Sequence, residues 1–199
     1  MARISIKGRL EVICGSMFSG KTQELIRRLR RAQIAQLAVQ VFKPQTDTRH
    51  TVNHVHSHAG DKLSACMVPD ARALRSALLP ETQVVGIDEV QFFSNDIIPL
   101  VHELIEEGKQ VIVAGLDLDF RGLPFGCMPT LLAVADNVTK LQAVCMLCGN
   151  DAHFTQRLVD GKPAKFTDPY ILIGGGDYYQ ARCRHCFMID HKPFTSATL

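Results

Sequence analysis

Gly15-Ser16-Met17-Phe18-Ser19-Gly20-Lys21-Thr22 fits G-x-x-x-x-G-K-[ST], and its flanks are what that pattern needs. The apolar, strand-like run Leu10-Glu11-Val12-Ile13-Cys14 precedes it, and a helix-like run from Gln23 to about Gln36 follows. A strand that breaks at glycine and restarts as a helix leaves several N–H groups aimed at one point. The helix N-terminus adds partial positive charge there. The stretch therefore predicts a P-loop that wraps a nucleoside triphosphate. The loop from Gly15 to Gly20, with Ser16, Met17, Phe18 and Ser19, cradles the phosphates. The Lys21 ammonium reaches the β- and γ-phosphates, and the Thr22 hydroxyl sits on Mg²⁺.

The rest of the chain supports an α/β fold around that loop. Strand-like runs at 9–14, 39–43, 63–68, 82–88 and 110–116 alternate with helix-like stretches at about 21–36, 70–79, 95–108 and 128–135. Val84-Val85-Gly86-Ile87 and Val111-Ile112-Val113-Ala114 are continuous rather than alternating, as strands covered on both faces are. The expectation is a RecA-like P-loop fold, a mostly parallel sheet flanked by helices, with a small zinc-binding domain appended. In the helix after the P-loop, Leu25, Ile26, Leu29 and Ala32 share one side. Arg27, Arg28, Arg30 and Arg31 read as a solvated or subunit-contacting face. His54, His56 and His58 alternate at period 2 in a polar region, which predicts a surface hairpin or mobile loop. Composition shifts past Leu141, so the predicted domains are 1–140 and 141–191, with a mobile tail at 192–199.

Val84 to Glu89 is an apolar strand ending in two acids, the pattern of a Walker B strand. Its place about 70 residues after the P-loop predicts a strand neighbouring the P-loop strand. Asp88 would hold Mg²⁺, mostly through water. Glu89 would stand at the carboxyl edge of the sheet, where a carboxylate can take a proton from an attacking hydroxyl or water.

Four of the seven cysteines form Cys145-x-x-Cys148 and Cys183-x-x-Cys186, separated by 34 residues. Two such pairs make a closed tetrahedral Zn²⁺ site, structural rather than catalytic. Cys14, Cys66 and Cys127 read as small buried hydrophobes. Between the pairs lies Tyr170-Ile171-Leu172-Ile173-Gly174-Gly175-Gly176, whose glycines permit close backbone approach to a ligand.

These residues together resemble the thymidine kinase family shared by many bacteria and by the cytosolic enzyme of animals. The matching stretches are Gly15–Thr22, Asp88-Glu89-Val90-Gln91-Phe92-Phe93, Gly115-Leu116-Asp117 with Phe120 and Pro124-Phe125-Gly126, the cysteine quartet, and Ile173-Gly174-Gly175 with Tyr179. The resemblance implies transfer of the ATP γ-phosphate to the 5′-hydroxyl of thymidine, giving dTMP, with Glu89 as general base. It implies that Met17, Phe92, Leu116, Phe120, Phe125 and Thr155 line the thymine pocket. It further implies that a lasso segment, Tyr170, Ile171, Leu172 and Ile173, binds the base edge through its backbone. Tyr179 matches the tyrosine that contacts the sugar. Family members are usually homotetramers inhibited by dTTP. Ser16 departs from the family's frequent Gly-Pro-Met, and Tyr170 from its smaller aliphatic residue.

Composition narrows the alternatives. Net charge is +2, so no broad basic field argues for a nucleic-acid partner. No apolar run reaches the roughly 18 residues of a membrane span, and Met1–Lys7 lacks a signal peptide's apolar core, so a cytoplasmic chain is expected. The competing reading is a RecA-like nucleic-acid-dependent ATPase, in which Glu89 activates water and a zinc ribbon grips DNA or RNA. A zinc-ribbon binding module with a vestigial nucleotide site is the third, and the intact Lys21, Thr22, Asp88 and Glu89 argue against it.

Overall fold

The continuous apolar runs become the inner strands of one sheet. A computed structural model describes residues 8–45, 54–56, 62–169 and 178–189. In chain order β1 (Arg9–Cys14) leads into α1 (Lys21–Ile34) and β2 (Val39–Pro44), then β3 (His54–His56), β4 (Lys62–Ser64) and β5 (Cys66–Val68). Next come α2 (Ala71–Ala77), β6 (Val84–Ile87), a 3₁₀ turn (Val90–Phe92), α3 (Ile97–Glu106), β7 (Gln110–Gly115), α4 (Met128–Val134) and β8 (Asn137–Lys140). Six of these strands form one sheet in the order β5-β2-β6-β7-β1-β8, and each of its pairings is parallel.

Both faces of the sheet are covered, which is why its strands could be apolar throughout. Leu10, Val12, Val85, Ile87, Val111 and Val113 face one layer, built by α2, α3 and α4 through Leu74, Leu100, Leu104 and Leu131. Ile13, Val84, Ile112 and Ala114 face the other, built by Leu25, Ile26, Leu29 and Ala32 of α1. The Asp70 carboxylate caps α2 by accepting from Ala73 N–H at 2.7 Å. No side chain caps α1, whose N-cap is Gly20 in a left-handed conformation.

The structure departs from the sequence reading at several points. The Walker B strand β6 does not neighbour β1; β7 lies between them. Spacing along the chain does not fix strand order, because a helical crossover can pass over a strand that forms later. The run 63–68 is two strands: β4 pairs antiparallel with β3, whereas β5 joins the main sheet. That β3–β4 pair is the expected hairpin for His54 and His56, while His58 lies outside the described residues. β8 was not foreseen, since Asn137-Val138-Thr139-Lys140 is a half-polar edge strand. Cys14 and Cys127 are buried as expected, but Cys66 is exposed, because β5 is the outermost strand. Arg28 is not solvated either. It turns inward to Glu11 on β1 at 2.7 Å, to Glu24 at 2.8 Å and to the Thr139 hydroxyl at 2.7 Å.

Beyond the main sheet, β9 (Ala143–Val144) pairs with β10 (Asp151–Ala152). A further sheet sets β11 (Phe154–Val159) between β12 (Lys162–Pro163) and β13 (Tyr178–Arg182). Its small core joins Ala143, Ala152 and Ala181 to Cys145 and Cys183. No helix among the described residues is long and apolar enough to cross a membrane.

The crossing of α1 over β6 depends on Gly86. A Cβ there would lie 2.6 Å from Leu29 Cδ1, and Leu29 is fully buried. Gly86→Ala should therefore destabilise the fold by about 1–3 kcal/mol through overpacking. The Leu29→Val change in the same chain should restore part of it. Urea unfolding midpoints read both effects, and an unchanged midpoint for Gly86→Ala would remove this contact from the account.

Candidate active site

The carboxyl ends of β1, β6 and β7 share one edge of the sheet, and the polar residues collect there. Gly15 leaves β1 at φ 141°, where a Cβ would sit 2.3 Å from the Leu141 carbonyl oxygen. That carbonyl is held in place because Leu141 N–H donates to Cys14 O at 2.8 Å. Phe18 and Gly20 both take positive φ, 66° and 85°, so the loop curls before α1 begins. The Ser16 carbonyl accepts from Ser19 Oγ and from Lys21 Nζ, each at 2.8 Å. Lys21 is thereby held inside the loop at 9% exposure.

Two contacts tie this loop to the later sheets. Ser16 Oγ donates to the Ala152 carbonyl at 3.3 Å, and Met17 N–H donates to Thr155 Oγ1 at 2.9 Å. A proline at position 16 has no hydroxyl for the first of these.

At the end of β6, Thr22 Oγ1 donates to Asp88 Oδ2 at 3.1 Å. Burial, and then the Glu89 charge, push the Asp88 carboxyl up to about 7. A cation between Asp88 and Thr22 would oppose both effects. Glu89 adopts φ 51°, ψ 40°, a left-handed conformation uncommon for a residue with a Cβ. Its N–H donates to Asp88 Oδ1 at 3.0 Å, and its carbonyl accepts from Phe92 N–H at 3.1 Å. These bonds fix the turn that aims the side chain away from the strand.

The described pocket residues fall on five segments: the P-loop, the 3₁₀ turn, the stretch 116–125, β11 and β13. Phe92 meets Phe125 edge-to-face, with ring centres 5.7 Å apart. Leu116 follows directly on β7 and is buried, as is Phe120. The segment 117–125 is a compact turn organised by Asp119. Its carboxylate accepts from Arg121 N–H at 2.8 Å and Leu123 N–H at 3.0 Å. Met17 and Thr155 are joined by the bond already described. Tyr179 of β13 stands opposite Arg157 of β11, which puts it on the face that also carries Thr155. Tyr170, Ile171, Leu172 and Ile173 lie outside the described residues.

Three polar residues, Gln91 and Asp117 at this edge and Arg157 on β11, were given no role by the sequence reading. Gln91 is almost fully buried; its Nε2 donates to Glu89 Oε2 at 2.5 Å, and its Oε1 accepts from Leu116 N–H at 3.1 Å. Asp117 pairs with Lys140 at 2.8 Å. Arg157 is fully buried, donates to the Pro169 carbonyl at 2.7 Å and lies 5.1 Å from the Phe120 ring centre. Gln91 and Asp117 are polar residues directly after apolar strands, which was the available signal. Arg157 had only its place inside a strand.

The Sγ atoms of Cys145, Cys148, Cys183 and Cys186 all lie within 4.8 Å of one another. Tetrahedral Zn²⁺ with bonds of about 2.3 Å sets its sulfurs about 3.8 Å apart, so the cluster fits that ion closely. Each pair sits on a knuckle. Gly149 N–H donates to Cys145 O at 2.9 Å, and Cys186 N–H to Cys183 O at 3.1 Å. Burial opposes ionisation of Cys145, but backbone donors from Cys183, Leu147 and Cys148 outweigh it and bring that thiol down to about 6. Hydrogen bonding to Cys148 and Cys183 sends Cys186 up to about 12. Four thiolates this close need a cation between them.

The sequence model of the thymidine kinase family matches residues 8–187, nearly the whole chain. That span includes the P-loop, the Asp88-Glu89 turn and all four cluster cysteines. The chain belongs to the thymidine kinase family, and is thus a phosphotransferase that uses ATP and acts on thymidine.

Proposed function

We propose that this chain transfers the γ-phosphate of ATP to the 5′-hydroxyl of thymidine, with Glu89 as the general base. The observation that carries the proposal is the Thr22–Asp88–Glu89 cluster at the carboxyl edge, beside the P-loop and the Leu116–Phe125 turn. Phosphoryl transfer needs positioning and charge neutralisation more than covalent chemistry. The loop amides between Gly15 and Gly20, apart from Met17 N–H, which donates to Thr155 Oγ1, cradle the phosphates, and Lys21 leaves the Ser16 carbonyl to reach the β- and γ-oxygens. Thr22 and Asp88 would hold Mg²⁺, which supplies neutralisation of the developing phosphate charge. Glu89 accepts the proton of the 5′-hydroxyl as that oxygen attacks the γ-phosphorus and the bond to the β–γ bridging oxygen breaks, releasing ADP.

Met17, Phe92, Leu116, Phe120, Phe125 and Thr155 line the thymine pocket in this reading, and Tyr179 contacts the sugar. In the same reading, backbone groups of Tyr170, Ile171, Leu172 and Ile173 bind the base edge. A closely packed pocket of this kind rejects a purine by size. The cysteine quartet holds structural zinc and anchors the unit 141–191 beside the P-loop unit 1–140. The family resemblance also carries homotetramer assembly, dTTP inhibition and a cytoplasmic role in nucleotide salvage into the proposal.

Label from γ-labelled ATP should appear in dTMP when thymidine is added, and not when ribonucleosides or DNA replace it. Phosphate release that depends on DNA would overturn the kinase reading. Glu89→Gln should lower kcat by roughly 10²–10⁴-fold while ATP binding, measured by calorimetry, stays intact. Near-normal turnover would remove Glu89 from the base role.

Cys183→Ser should lose stoichiometric zinc by metal analysis and lower the melting temperature. Full zinc content in that variant would reject the ligand set.

A further inference from the structure

Gln91 is held by two hydrogen bonds that together decide which way its amide points. The Leu116 N–H can only donate, so the atom facing it at 3.1 Å is the amide oxygen. The NH₂ group is therefore the atom 2.5 Å from Glu89 Oε2. Gln91 has little room to turn. It is 3% exposed, and a Cβ on Gly115 would come within 2.6 Å of its Oε1. Its own carbonyl backs onto Gly126, where a Cβ would lie 2.5 Å from that oxygen. Glycine at both positions lets the end of β7 approach the Gln91 side chain and the segment at Gly126 approach its backbone.

We propose that Gln91 is a positioning residue, whose amide, fixed by Leu116, aims the Glu89 carboxylate at the acceptor hydroxyl. The proposal rests on Glu89 being the base. Gln91 holds one carboxylate oxygen, Oε2, and so limits how the carboxylate can turn. The same amide joins the base to the first residue of the turn carrying Phe120 and Phe125. Seating of the nucleoside and aim of the base are thereby coupled through one side chain. A carboxylate displaced by about 1 Å from its attack geometry costs on the order of 10²-fold in rate.

The test is a double-mutant cycle between Gln91→Met and Glu89→Gln, with kcat and the KM for ATP measured for each chain. Gln91→Met should lower kcat roughly 10- to 100-fold and leave the KM for ATP within about twofold. Added to Glu89→Gln it should lower kcat no further, because there is no longer a base to aim. Gln91→Glu keeps an oxygen for Leu116 N–H but sets a second carboxyl against Glu89 Oε2, and above the pH at which the pair shares a proton it should also lower kcat. Wild-type kcat in Gln91→Glu, or an equal fall from Gln91→Met with and without Glu89, would overturn the proposal. Glu89→Gln measured alone separates this from a failure of the base assignment, since full activity there strikes the base reading first.

Discussion

The hydrogen bond from Thr22 to Asp88 joins the start of α1, the helix that follows β1, to the end of β6, a strand that β1 does not touch. β7 separates β1 from β6, so the P-loop and the acidic turn meet only because α1 starts at one strand and crosses toward the other. The crossing is set by packing on the face opposite α2, α3 and α4. Leu29 fills the space above Gly86, and Leu25 and Ile26 pack in the same layer. A side chain at Gly86 would push against Leu29, on the helix that begins at Lys21 and Thr22. A core contact far from the chemistry thus bears on a distance within it, because close-packed interiors transmit small displacements.

The second dependence runs through the P-loop itself. The interior of the loop touches the later sheets. Met17 N–H is committed to the Thr155 hydroxyl, and Ser16 Oγ to the Ala152 carbonyl. Thr155 lies on β11, and Ala152 belongs to the small core that includes Cys145 and Cys183. Such a core is too small to order its strands by apolar burial alone, and four cysteine ligands around one ion would supply what it lacks. Cys145 and Cys183 belong to that small core, so an ion held by the cluster would steady the residues against which the P-loop rests.

Much of this was legible in the sequence because it rests on local chemistry. The P-loop, the acids ending β6, the two C-x-x-C pairs and the buried strands each follow from residues within about ten positions of one another. The order of the strands did not, since the insertion of β7 between β1 and β6 is decided by how helices cover the sheet. Nor did β8, whose polar residues fit an edge but give no periodic signal. Arg28 looked like one of a row of solvent-facing cations. Its inward turn depends on Glu11, a strand residue that happens to face α1. Gln91 sat inside a stretch already singled out, yet nothing in one dimension showed that Leu116 would come to meet it.

The Glu89 backbone shows why such a partner is needed. A residue with a Cβ in the left-handed region carries a conformational cost of order 1–3 kcal/mol, and it persists only where surrounding contacts over-determine it. Asp88 Oδ1, Phe92 N–H and the Gln91 amide supply those contacts on three sides. What the strain gains is direction. In regular strand geometry the residue after Asp88 would project to the opposite face of the sheet. The left-handed turn breaks that alternation and leaves the carboxylate at the edge, beside the Leu116–Phe125 turn. Two adjacent acids can then do different work. Asp88 stays buried on Thr22, suited to a cation, while Glu89 faces outward, suited to a proton.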